Sequence, residues 1–173
     1  INPSVAAPLS VTPTGWARAT IDQPNSAAVA NVDFVITDSL TKYTELNTTL
    51  SWFVSGTSDS TGAASTLNFH NLDLEVWRTD ASGNPVTLVG KSTSTFKNTE
   101  HLSFLIPQDG RYMVRVTRPA GSAGDYYSFD LSTTSDVFGL AWMARPALLA
   151  TAGTTTINTG AAQSQPDVLV APD

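Results

Sequence analysis

Apolar and polar residues alternate in short runs along this chain, and that pattern limits its fold more than anything else in the sequence. In NLDLEVWR (Asn71–Arg78), Leu72, Leu74 and Val76 fall on one face, and Asn71, Asp73, Glu75 and Trp77 fall on the other. A period of two with one apolar side is what a strand lying on a core requires. DGRYMVRVT repeats it, with Tyr112, Val114 and Val116 inward and Arg111, Met113, Arg115 and Thr117 outward.

Further runs follow the same rule. Thr14–Asp22 reads as a first strand, with Trp16, Ala19 and Ile21 as core contacts. Val32–Thr37 is a second. Leu40–Val54 is a long third that turns Leu46, Thr48, Leu50, Trp52 and Val54 to one side. Ser55–Thr66 is small and polar and reads as a flexible loop. Thr79–Pro85 and Pro107–Gly110 carry turn chemistry, with Asp, Gly and Pro where tight turns want them. Val86–Ser92, then Leu102, Phe104 and Ile106, then Tyr127, Phe129 and Leu131, and finally Val137–Trp142 complete the set. About nine strands at spacings near ten residues, with no amphipathic helix, predict an all-β antiparallel sandwich or barrel.

The ends differ from this body. Ile1–Pro13 carries three prolines and reads as a lead-in linker. In Met143–Asp173, Ala, Thr, Gly and Gln dominate and Pro146, Pro166 and Pro172 interrupt. That segment reads as a linker, with Ala147–Ala152 as a helical turn and Asp167–Val170 as an added edge strand in the competing reading. The expected domain therefore runs over 14–142. The chain starts at Ile1 without a signal segment, and we expect it to be a piece of a longer protein.

Composition removes several function classes. Nine basic residues against fifteen acidic ones leave a net charge of −6, so nucleic acid is a poor partner. The absence of cysteine excludes disulfides, thiol catalysis and cysteine-ligated zinc. No apolar run is long enough to span a membrane as a helix.

Five phrases occur in a recognisable order: LSWFVSG (Leu50–Gly56), NLDLEVWR, KNTEHLSF (Lys97–Phe104), DGRYMVRV (Asp109–Val116) and FGLAW (Phe138–Trp142). Together, over Thr14 to Trp142, they resemble the β-jelly-roll domains C-terminal to the catalytic domain in bacterial subtilisin-like serine proteases and related secreted proteins. Pre-peptidase C-terminal domains and the P domains of proprotein convertases are similar sandwiches. The resemblance implies a jelly roll in the extracellular space or cell envelope. It also implies a non-catalytic accessory module that stabilises or orients an attached protease domain, with other domains of the same polypeptide as partners. The chain has FHNLDL where the protease-associated form often has VNDLDL. The missing Asp lowers the expectation of a metal site carried over from relatives.

The candidate chemistry is sparse. His70 and His101 are the two histidines, and no GxSxG elbow accompanies any serine, so a serine-protease triad is not expected. His101 reads as an exposed strand position and His70 as a loop edge. Two histidines without a suitably spaced carboxylate also argue against zinc. Calcium prefers carboxylate and carbonyl oxygens from loops. Its candidates are Asp73, Asp80 and Asp109, with Asp59, Glu75 and Asp125 behind them, although no DxDxDG loop is present. Asp73 and Glu75 are expected to be solvated. A second reading is a carbohydrate- or surface-binding module in which outward Trp77, Tyr126 and Arg115 form the site. A third is a structural spacer. Asn47-Thr48-Thr49 fits the glycosylation sequon and is read as incidental.

Overall fold

The structure is a computed structural model that describes residues 7–22, 29–53, 55–58, 61, 64–68, 70–94, 97–119 and 135–146. The chain forms β1 (Leu9–Val11), β2 (Thr14–Asp22), β3 (Ala30–Ile36), β4 (Glu45–Trp52), β5 (Ser55–Ser58) and β6 (Ala64–Asn68). These are followed by β7 (Asp73–Thr79), β8 (Pro85–Ser92), β9 (Thr99–Leu105), β10 (Arg111–Arg118) and β11 (Ser135–Arg145). There is no helix among the described residues, and so none long and apolar enough to cross a membrane.

Two sheets make the body. One has the order β1-β3-β10-β7-β8 and the other β2-β11-β4-β9, while β5 and β6 pair separately as a hairpin. Without β1 and the hairpin, consecutive strands switch between sheets except at the β7–β8 hairpin, in the two-Greek-key order of a jelly roll. The protein is thus a β-sandwich of jelly-roll type, antiparallel except for β1, with nine strands in its two sheets among the described residues; alternation predicts the sandwich and the resemblance its jelly-roll type.

The inward faces close on each other. Phe34, Ile36, Leu74, Val76, Tyr112, Val114 and Val116 come from the five-stranded sheet, and Ile21, Leu46, Leu50, Trp52, Phe138, Leu140 and Trp142 from the four-stranded one. Burying each is worth about 2 kcal/mol. Phe34 meets the Phe138 ring edge-on at 6.3 Å and lies 5.7 Å from Trp142. The Trp142 indole donates to Thr12 O at 2.8 Å and lies where a side chain on Gly15 would stand, 2.8 Å from a built Cβ. Gly15 is needed for that close approach.

Several boundaries differ from the sequence expectation. Trp16 is 79% exposed, whereas Ile21 is buried. An odd spacing of five residues puts the two on opposite faces of β2. The third strand begins at Glu45, because Tyr43 takes a left-handed φ of 69° that breaks an extended run. Leu40 instead makes an isolated bridge to Gly110, with hydrogen bonds of 2.8 and 3.0 Å. Much of the expected loop at 55–66 is the β5–β6 hairpin, bulged between Thr57 and Ser58. The lead-in contributes β1, which runs parallel to β3 and is held by Thr37 N–H donating to Val11 O at 2.9 Å. At the other end β11 continues through Arg145, paired with Glu45. The expected strand at Tyr127–Leu131, Ala147–Ala152 and Asp167–Val170 lie outside the described residues.

Candidate functional site

The outward side of the five-stranded sheet brings together the residues singled out around Trp77. Register sets Met113 opposite both Val35 and Trp77, and Arg115 opposite both Asp33 and Glu75. Arg115 grips Asp33 with two hydrogen bonds, Nε to Oδ1 at 2.6 Å and Nη2 to Oδ2 at 2.8 Å. Its guanidinium also lies 5.7 Å from the Trp77 ring centroid. The Trp77 indole donates to Glu75 Oε2 at 2.7 Å. Lys91, from β8, bridges Asp73 and Glu75 at 3.3 and 3.2 Å. Trp77 and Arg115 are therefore adjacent, as expected. Tyr126 lies outside the described residues.

This face corrects the expectation that Asp73 and Glu75 are solvated. Asp33, Asp73, Glu75, Met113 and Thr117 are all buried. Buried carboxylates need countercharge, and Arg115 and Lys91 supply it. The hydrogen bond to Asp33 raises the Arg115 pKa further, although burial opposes it. Burial lowers that of Lys91, but the hydrogen bonds and charges of Glu75 and Asp73 outweigh it, and the ammonium ends above its ordinary value.

The calcium candidates do not come together. Asp80 accepts the N–H groups of Ser82 and Asn84 at 2.9 Å each and Asn84 Nδ2 at 3.0 Å. Those donors, led by the Asn84 side chain, hold its carboxyl below the usual range. Asp109 accepts Lys42 N–H at 2.6 Å. Asp73 sits at the opposite end of β7 from Asp80. Among the described residues no three His, Asp or Glu side chains gather as a metal site, and Asp59 and Asp125 lie outside those residues.

The histidines are separated. His101 is exposed on β9, with Nδ1 3.0 Å from Thr49 Oγ1. His70 is not at an open loop edge: it is 4% exposed, and Nδ1 lies 2.6 Å from Asp136 Oδ1. The other Asp136 oxygen lies 2.7 Å from Nη1 of buried Arg118. Trp52 Nε1 donates to His70 O at 2.7 Å. Arg118 belongs to the larger sheet and Asp136 to the smaller, so the cluster is an ionic brace across the sandwich. Sequence reasoning missed Asp136 and Arg118, though their positions in the alternation carry the signal. Asp136 shares parity with Phe138 and Leu140, and Arg118 with Val114 and Val116, all inward.

The outward side of the four-stranded sheet is different in kind. Trp16, Ala141, Thr49 and His101 stand in one transverse row, and Arg18, Gly139, Ser51 and Thr99 in the next. All eight are exposed. At the β9 edge an open cleft of about 720 Å³ is lined by Thr49, Ser92, Thr93, Lys97, Glu100 and His101, among others. Glu100 is 4% exposed. It accepts a hydrogen bond from the Ser92 hydroxyl, and its buried Oε1 has no hydrogen-bond partner.

Fold and site together define a jelly-roll sandwich, without helix among the described residues, with one outer face buried in ion pairs and one exposed outer face of mostly uncharged side chains. No family model matches the chain, and neither does any curated protein. Among solved structures it is similar to the pre-peptidase C-terminal domain of collagenase from Bacillus anthracis, with 8% identity and a TM-score of 0.44 over 82% of this chain and 99% of that one. A crystal structure from Sulfurospirillum deleyianum is similar at 9% identity and a TM-score of 0.31, over 73% of this chain and 97% of that one. At this distance neither neighbour transfers a role.

Proposed function

We propose that the chain is a non-catalytic accessory module of a larger extracellular or cell-envelope protein. In this reading it stabilises or orients an attached domain, such as a protease, or mediates an interaction. The supporting observation is the use made of His70. A histidine acting as general base must reach its substrate's proton. This one is 4% exposed and held against Asp136 beneath Arg118, where it joins the sheets instead. The low charge and the Ser- and Thr-rich strands agree with an extracellular setting.

The test is a hydrolysis assay on the purified 173-residue chain with casein, gelatin and peptide substrates. The expected outcome is a cooperatively folding protein with no turnover. Turnover abolished by His70→Ala or His101→Ala, in a variant that still folds, would overturn the reading.

A binding role is the second reading. Trp77 and Arg115 are already engaged by Glu75 and Asp33, which leaves little of either for a ligand. The open face of the smaller sheet favours the binding role more.

A further inference from the structure

We propose that the outward face of the four-stranded sheet, from Trp16 across to the cleft beside His101 and Glu100, binds a neutral, hydroxyl-rich polysaccharide. This deepens the accessory reading by giving the module a ligand, and it rests on that reading only in taking the chain to bind without cleaving.

The geometry of the face carries the proposal. Strands in a sheet lie about 4.8 Å apart, so the row Trp16–Ala141–Thr49–His101 crosses the sheet over about 14 Å. At one end the Trp16 indole stands 79% exposed. Between the ends the surface is floored by Ala141, Gly139, Ser51 and Thr49, so nothing bulky interrupts it. At the other end the cleft offers hydroxyls and the Lys97 ammonium.

A sugar chain matches both ends. Its C–H faces stack on an aromatic ring, and its hydroxyls exchange hydrogen bonds with hydroxyl groups and accept from an ammonium. Other occupants fit less well. A polyanion meets a chain of net charge −6 and, on these two rows, Arg18 as the only fixed cation. Protein interfaces are depleted in Ser and Ala, which with Gly and Thr floor this face.

Gly139 supplies a clean probe. A Cβ built there meets nothing closer than Ser51 O at 3.9 Å, so the fold tolerates a side chain that would stand in the ligand's path. The experiment titrates 15N-labelled wild type, Trp16→Ala and Gly139→Gln with cellohexaose, chitohexaose and mannohexaose, with product analysis by chromatography. The expected result is that at least one hexasaccharide shifts the amides of Ser51, Thr49, Ala141 and His101. Each variant, with its spectrum otherwise native, should weaken that binding tenfold or more. The proposal is overturned if no hexasaccharide moves these amides at millimolar concentration, or if both variants bind like wild type. Cleavage of a bound sugar would overturn the non-catalytic reading while leaving the binding face standing.

Discussion

The two outward faces of the sandwich obey the same alternation and come to opposite ends. On the larger sheet the outward positions of β3, β7 and β10 hold Asp33, Asp73, Glu75, Trp77 and Arg115, knitted with Lys91 from β8 into a buried ionic network. On the smaller sheet they hold Trp16, Gly139, Ala141, Thr49 and Ser51, all exposed and none fixed by an ion pair. The difference lies in what each face demands of the fold. Buried charges are tolerated only when paired, and the pairs form only in one register. A slip of one residue between β3 and β10 would leave Asp33 without Arg115. The exposed face holds no such network, and it is the face proposed to bind a saccharide.

Three measurements separate the faces, taken from the largest effect to the smallest. Arg115→Ala removes the partner of buried Asp33 and the cation beside Trp77. It should cost about 3 kcal/mol in urea unfolding, in the range for breaking a buried pair. A loss below about 1 kcal/mol would show the ionic face to be ornamental.

The second measurement uses pH. Lys91 titrates higher in the folded protein than the ordinary lysine value of 10.5. Its charge therefore stabilises the fold fully below that value, and the contribution is lost as pH rises through the folded pKa. Burial also pushes the Tyr112 hydroxyl up, so its contribution is lost in the same direction. The lysine's share is the difference between wild type and Lys91→Met. Because the ammonium is 41% exposed and screened, that share should stay under about 1 kcal/mol at neutral pH and vanish once pH has risen through the folded pKa. A difference that grows with alkaline pH would contradict the network.

The third is Gly139→Ala on the exposed face. With no contact under 3.9 Å it should leave stability within about 0.5 kcal/mol, on the stabilising side if at all. A large loss would mean that this face is as tightly specified as the other.

Much of the fold was legible in the sequence. Alternation placed Leu72, Leu74, Val76, Tyr112, Val114 and Val116 in the core, and the structure buries every one. The same rule, applied more strictly, would have placed Trp16 outside and marked Glu100, Arg118 and Asp136 as inward charges. Trp16 is large and apolar, but parity with Ile21 outweighs that character and turns it to solvent. The site was less legible. The bond from Trp77 to Glu75 lies within one strand, but Arg115 meets Asp33 only because β3 and β10 pair across 82 residues of sequence.

What the sequence determined by itself is the all-β character, the face each strand turns inward and the absence of cysteine chemistry. These follow from residue type and a period of two, which are local. Only the tertiary structure decided which outward face is buried and which is open, because that depends on strand order and register. It set Asp33 beside Arg115 across 82 residues and His70 beside Asp136 across 66. It also lined up Trp16, Ala141, Thr49 and His101 from four separate strands into a single row. Contacts between residues so far apart in the chain leave no mark on local periodicity, and they carry both the ionic network and the open face.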